Sequence, residues 1–141
     1  MDLQRLMQQY VTASHVAVYR MTNGFIGHRM FDTEAVLLTT KGRKSGRERV
    51  TPLTVTPDGE RLILIASNGG ARRHPDWYLN LQAQPEVDVQ RGAARLKMRA
   101  RTATAEERPA LWAKALTTYR GYDDYQRRAP REIPVVVLEP V

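Results

Sequence analysis

The sequence predicts a mainly β, α+β domain, an antiparallel sheet or small barrel with helices packed outside it. Short β-type segments follow one another across tight turns, in the order α-β-β-β-α-β-β-α-β, which is hairpin connectivity rather than alternating strand and helix. The 141 residues suffice for one compact domain and leave little room for a second. A single unit over 1–141 is therefore expected, with 1–34 an N-terminal helix and loop and 35–141 the barrel. Apolar types at 42% and charged types at 26% are ordinary globular usage, so the chain should fold.

Each element has its own signal. Leu3, Leu6, Met7, Tyr10 and Val11 recur at three- and four-residue spacing, and no proline or glycine intervenes before Gly24, so residues 2–20 read as an amphipathic helix. A loop with Asn23, Gly24 and Gly27 leads to Ala35–Thr40, a buried strand. Lys41–Glu48 has two glycines and no apolar residue, and joins that strand to Arg49–Thr56, where Pro52 suggests an edge or bulge. Pro57, Asp58 and Gly59 turn the chain into a third strand, Arg61–Ser67. After Asn68, Gly69 and Gly70, Pro75 suits the first turn of a short helix whose apolar side is Trp77, Tyr78, Leu79 and Leu81. Val87 and Val89, then Leu96, Met98 and Ala100, alternate with polar neighbours across an Arg91-Gly92 turn, giving two strands. Thr104 and Glu107 form a capping box for a helix running to about Tyr119, with Pro109 disturbing its first turn. Ile133–Leu138 is the sixth strand.

Several function classes are excluded or weakened. With no cysteine, disulfides, thiolate catalysis and cysteine-ligated metals are impossible. His15, His28 and His74 lack metal-ligand spacing, and Ser14, Ser45 and Ser67 form no nucleophile elbow, so no metal site is expected and hydrolase chemistry is disfavoured. The longest apolar run, Leu62–Ala66, is far short of the roughly 20 residues of a spanning helix. Met1–Tyr10 lacks the apolar core of a signal peptide, so a cytoplasmic address is expected.

Charge supplies the first functional clue. The net charge of +7 and sequence pI near 10.1 favour an anionic partner. Lys41, Arg43, Lys44, Arg47 and Arg49 oppose Glu48 alone, so nine residues carry +4 of that +7. The loop Lys41–Arg47 suits a phosphate or carboxylate, although it is no Walker loop and a solvated basic hairpin is an equal reading. Asn68–Pro75 is a second glycine- and arginine-containing loop, and it leads into a helix N-terminus. Tyr119, Tyr122 and Tyr125 fall near one face of any helix they share, as pocket phenols or as packing residues. Without a nucleophile or metal, catalysis would need a bound cofactor.

The segments LLTTKGRKSGRERVTPL, IASNGGARRHPDWYLNL, TYRGYDDYQ and IPVVVLEP resemble the deazaflavin-dependent nitroreductase family, the coenzyme F420-dependent quinone and nitro reductases typical of actinobacteria. The likeness runs from about Ala35 to Val141, with residues 1–34 weakly matched. It implies a six-stranded split β-barrel, similar to the flavin-mononucleotide-binding fold, that holds 8-hydroxy-5-deazaflavin (coenzyme F420) in a groove. The cofactor's phosphodiester and glutamate tail make it a polyanion, which a basic loop beside an aromatic pocket would suit.

On this resemblance Arg43, Lys44 and Ser45 hold the phosphate and tail. Arg49, Val50, Thr51, Pro52 and Leu53 run along the cofactor, and Ile65, Ala66, Ser67 and Asn68 face the ring or linker. Asp76, Trp77, Tyr78, Leu79 and Asn80 complete the site, with Tyr122 contacting the cofactor. Tyr119, Tyr125 and Ser67 lie around the substrate pocket as the catalytic candidates. Thr54 stands where the best-known quinone- and nitroimidazole-reducing members carry a pocket tyrosine, and Asn68 replaces a lysine.

The resemblance therefore implies an F420H2-dependent reductase passing a hydride to a small electron-poor acceptor such as a quinone or nitro compound. The alternatives are a split barrel binding flavin mononucleotide or haem, a deazaflavin-binding protein without turnover, and a nucleic-acid-binding domain. The last is disfavoured because the aromatics do not alternate with basic residues on one strand face. The N-terminal helix, with Arg5 and Arg20, could lie on the core or touch a membrane as a peripheral contact, and a monomer or weak oligomer is expected.

Overall fold

The computed structural model describes residues 33–141, together with Val16, Ala17, Arg20 and Arg29–Met30. The helix expected over 2–20 lies almost wholly outside the described residues. Strands β1 (Arg29–Met30), β2 (Thr33–Lys41), β3 (Glu48–Thr54), β4 (Thr56–Asp58) and β5 (Arg61–Ile65) come first. Helix α1 (Asp76–Ala83), strands β6 (Glu86–Arg91) and β7 (Ala94–Thr102), helices α2 (Arg108–Thr118) and α3 (Gly121–Arg128), and strand β8 (Val135–Pro140) complete the order. Every strand pairing is antiparallel. The class is the expected mainly β, α+β one, and the residues from Thr33 onward form a mainly antiparallel β half-barrel with three helices.

Among the described residues, seven strands have three residues or more, where six were expected. The extra one arises at Val55. The segment read as one strand, Arg49–Thr56, is divided there. Val55 turns its buried side chain into the core and donates its N–H to the Glu34 carbonyl at 3.0 Å, outside the regular ladder. Upstream, β3 pairs with β2 from Lys41↔Glu48 to Ala35↔Thr54; downstream, β4 pairs with β5. The sheet path β3-β2-β6-β7-β8-β5-β4 thus begins and ends on consecutive pieces of one segment, and the sheet curls on itself.

The uninterrupted apolar runs are strands buried on both faces. In β5, Leu62 and Leu64 face the interior of the curled sheet with Val36, Leu38, Val89 and Met98, and Val136 and Leu138 of β8 join them. The alternate residues Ile63, Ile65, Val135 and Val137 face outward against Leu111, Ala115 and Tyr122 of α2 and α3. Helix α1 closes the interior with Trp77, Tyr78 and Leu81. Truncating a fully buried leucine such as Leu64 to alanine in such a core costs about 2–5 kcal/mol.

Several element boundaries differ from expectation: β2 already begins at Thr33, and Pro57 and Asp58 lie in β4 rather than in the turn. The third strand stops at Ile65, and Ser67 and Asn68 enter a tight 3-10 turn instead. The last strand begins at Val135 rather than Ile133, because Pro134 cannot donate to a ladder and the Ile133 N–H goes to Gln126 Oε1 at 2.9 Å. The Thr104–Glu107 capping box forms reciprocally at 2.9 and 3.2 Å, but the regular helix starts at Arg108. Helix α3 was not foreseen, although its first-turn Asp123 and Asp124 and last-turn Arg127 and Arg128 match the helix dipole.

Ion pairs fasten the outer layer to the sheet. Asp58 accepts from Lys114 of α2 at 2.5 Å and from Arg61, while Arg101 of β7 bridges Glu107 and Glu139. The carboxyls of Asp58 and Glu107 are held below their ordinary range, Asp58 by hydrogen bonds from Lys114 and Arg61, Glu107 by Arg101 and the Thr104 N–H. Because both bind protons less readily folded than unfolded, their stabilisation is complete above the unfolded values near ~4 and is lost as pH falls further. The urea midpoint should therefore drop below about pH 4. An Asp58→Asn/Glu107→Gln variant should show a shallower drop than the wild type; equal slopes would remove these pairs from the acid response.

Candidate functional site

Two depressions lie along β3. The first, about 750 Å3, is lined by the β2–β3 loop (Gly42 to Ser45), by Glu48 to Thr51, and by Arg73, Asp76, Trp77 and Asn80. The loop is folded onto itself, with Gly42 N–H donating to Arg47 O at 2.7 Å and Arg47 N–H to Ser45 Oγ at 3.2 Å. Asn80 is 4% exposed and anchors the loop. Its Oδ1 accepts from Arg43 N–H at 3.1 Å and Nη1 at 2.9 Å, and its Nδ2 donates to Thr40 Oγ1 at 3.4 Å. Asp76 takes the remaining edge of the Arg43 guanidinium at 3.2 Å. Because Asp76 is largely exposed, that pair is weak and an incoming anion can compete for it. Lys44, Arg49 and Arg73 enter no ion pair among the described residues. The basin thus presents one pre-positioned guanidinium and three uncompensated cations.

The second depression, about 370 Å3, is lined by Thr33, Pro52, Leu53, Thr54, Ile65, Ser67, Tyr119, Tyr122 and Tyr125. Its phenols form a cluster: Tyr119 meets Tyr122 edge-on at 5.1 Å between ring centroids, and Tyr119 and Tyr125 share a hydroxyl contact of 3.2 Å. The three tyrosines do not share a helix, so they are not brought together by a common helical face. Tyr119 caps α2 with extended backbone, while Tyr122 and Tyr125 belong to α3. Burial, with the other two phenols nearby, pushes the Tyr122 hydroxyl up to about 12. The hydrogen bond with Tyr119 raises Tyr125 as well, against an opposing pull from Arg128, whose guanidinium lies 5.3 Å from its ring. Both remain neutral donors at physiological pH. Across the cavity, Thr54 Oγ1 lies 3.2 Å from Thr33 Oγ1.

Strand β3 joins the two depressions, with Val50 and Thr51 in the basic one and Pro52, Leu53 and Thr54 in the apolar one. Of the residues singled out in the sequence, Ala66, Asn68, Tyr78 and Leu79 line neither. Ala66 is fully buried; the Asn68 side chain staples its loop to Arg73 O at 3.0 Å. Tyr78 is a core residue whose hydroxyl meets Thr102 Oγ1 at 2.8 Å, and Leu79 packs against the same core.

The sequence matches the family described as F420H(2)-dependent quinone reductase over residues 11–140. The chain belongs to the F420H(2)-dependent quinone reductase family. It is 38% identical over 146 residues to an F420H(2)-dependent quinone reductase of Mycobacterium tuberculosis, covering 98% of each chain. Among solved structures, an F420-H2 dependent reductase is 40% identical with a TM-score of 0.69, covering 74% of this chain and 93% of that one. A second, described as a domain-swapped dimer, is 34% identical with a TM-score of 0.73, covering 94% and 98%. Among the described residues of this family member no helix is long and apolar enough to cross a membrane.

Sequence reading missed what two glycines do for this family site, Gly70 through a contact remote in the chain and Gly121 through a close one. Gly70 lies against α3: a Cβ there would sit 2.8 Å from the Tyr125 carbonyl oxygen, and its φ of +83° disfavours any side chain. Gly121 lies under the Tyr119 ring, where a Cβ would fall 2.3 Å from Cζ. Glycine content was legible at both positions, but the facing tyrosines were not. Gly69 has a φ of +65° and open space around it, so Gly69→Ala should cost about 1–2 kcal/mol in urea unfolding. Gly70→Ala, which adds a backbone collision, should cost about 1–3 kcal/mol more; equal losses would show that α3 does not rest on this turn.

Proposed function

We propose that the chain is an F420H2-dependent oxidoreductase that reduces a small electron-poor acceptor of the quinone or nitro class, in a cytoplasmic setting. The fold is read as a split barrel of the flavin-mononucleotide-binding type, forming one unit over residues 1–141. The observation that carries the reading is the continuity along β3 of a basin with uncompensated cations and a cavity lined by phenols. A deazaflavin with an anionic tail needs both, at opposite ends of one molecule. The family membership, and the names of the relatives, point the same way.

The residues present fit that group. Lys44, Arg49 and Arg73, with Arg43 braced by Asn80, would hold the phosphate and carboxylates, and Ser45 would add a hydroxyl donor. Val50, Thr51, Pro52 and Leu53 would follow its length, with Trp77 at the basic end and Tyr122 and Ile65 at the ring end. When bound, the reduced cofactor supplies a hydride. The protein's part is to hold the acceptor in the remaining cavity, beside Thr54, and to exclude water from it.

Ser67 is 8% exposed, lines the cavity, and makes no protein hydrogen bond through its hydroxyl among the described residues. Its O–H is therefore available to the oxygen on which negative charge develops. Tyr119 and Tyr125, linked through their hydroxyls, would donate to the same charge and relay a proton from solvent. Thr54, in place of a larger ring, leaves room for a broader acceptor.

Two sets of variants test these roles. Ser67→Ala, Tyr119→Phe and Tyr125→Phe should each lower kcat by about 10- to 100-fold with cofactor affinity changed by less than about threefold. Arg43→Ala/Lys44→Ala should instead weaken cofactor binding, less so at high salt, with kcat preserved at saturation. A reversed pattern would overturn the division of the site. Since Tyr122 and Tyr125 titrate above their ordinary range, kcat should show no phenol ionisation between pH 7 and 9.

A further inference from the structure

Arg131 lies between α3 and β8, outside the segments that carry the family resemblance and outside both depressions. Its guanidinium is nevertheless spent on the site's connecting loop. Nε donates to Ala71 O at 3.0 Å, and Nη2 donates to Ser67 O at 3.0 Å and Arg73 O at 3.2 Å. Nη1 meets His74 Nδ1 at 2.9 Å, and both terminal nitrogens reach Ala66 O at 3.4 Å. No carboxylate neutralises it among the described residues. Four carbonyls and one imidazole nitrogen thus converge on a single planar cation.

The loop it gathers, Ala66–His74, has little regular structure of its own beyond the turn at Asn68–Gly70. Ser67 O also accepts from the Gly70 N–H at 2.9 Å and Arg73 O from Asn68 Nδ2 at 3.0 Å, and the guanidinium fork draws these two together with the Ala66 and Ala71 carbonyls. The two ends of the loop belong to different parts of the site. Ser67 contributes to the phenol-lined cavity and Arg73 to the basic basin, and Nη2 of Arg131 holds the carbonyls of both.

We infer that Arg131 is a positioning residue that sets the Ser67 hydroxyl and the Arg73 guanidinium at a fixed spacing, coupling the acceptor end of the site to its anion-binding end. The inference rests on the proposed function for what the two ends bind. His74 serves the clamp as an acceptor: with Nδ1 facing a guanidinium it must be unprotonated there, consistent with burial and the Arg131 charge lowering its pKa. A lysine at 131 would keep the charge but, as a compact ammonium, could not serve all five acceptors.

The test compares Arg131→Lys with wild type in the full chain, first without cofactor. Amide hydrogen exchange over residues 68–74 should accelerate roughly tenfold or more in Arg131→Lys while β5 and β8 keep their protection. His74→Phe, which removes one acceptor and leaves the guanidinium, should give a smaller acceleration, and it serves if Arg131→Lys does not fold. A double-mutant cycle on oxidised deazaflavin binding follows. Arg73→Ala should raise Kd roughly tenfold in the wild-type background but less than about threefold beside Arg131→Lys. Equal factors in both backgrounds, or unchanged loop exchange, would overturn the coupling and leave Arg131 a stabilising contact. If the wild type binds no deazaflavin, the cofactor reading fails, and the exchange comparison still decides the clamp.

Discussion

The segment Glu48–Asp58 pairs with β2 through its first half and with β5 through its second, so the two margins of the sheet are one piece of chain. The change of partner at Val55 bends the segment and is held by the buried valine side chain and the Glu34 carbonyl. That bend sets the site. The first half of the segment is a strand paired along one side with β2, and it lines both depressions, cationic at its start and apolar at its end. Closing the sheet and aligning the groove are thus the same structural event.

The two ends of the groove work through different physics. At the basic end, solvent is near and single ion pairs are weak, so recognition depends on several cations acting together and on Asn80 fixing one of them in advance. At the other end Tyr122 meets Tyr119 and Tyr125 edge-on, and burial of Tyr122 and the hydrogen bond between Tyr125 and Tyr119 keep the Tyr122 and Tyr125 hydroxyls protonated. A salt-sensitive hold on a charged tail and a salt-insensitive platform for a flat ring follow from this contrast.

Much of the fold was legible because its strongest signals are local. The runs Leu62–Ile65 and Val135–Leu138 announce strands buried on two faces, and both are. The charge concentrated between Lys41 and Arg49 marks the basic basin. The extra strand was not legible, because a single valine turning inward leaves no period-2 break. The tyrosines were noted together because they would share a face of any common helix, whereas the Tyr119 ring reaches its partners by lying on Gly121 at a helix junction. Asn80 was named through the family resemblance alone and Arg131 not at all, since each acts on a loop 37 or more positions away. Local pattern reads elements; it does not read which side chain will satisfy a distant carbonyl.

The measurement that bears most directly on the continuous groove is a fluorescence titration of the wild-type protein. Oxidised deazaflavin cofactor, the same ring system without its anionic tail, and flavin mononucleotide would be compared at low and high salt. The account predicts saturable binding of the complete cofactor that weakens with salt, weaker but salt-insensitive binding of the tail-less ring, and little binding of flavin mononucleotide. Equal affinity for the complete and tail-less forms, or preference for flavin mononucleotide, would contradict it.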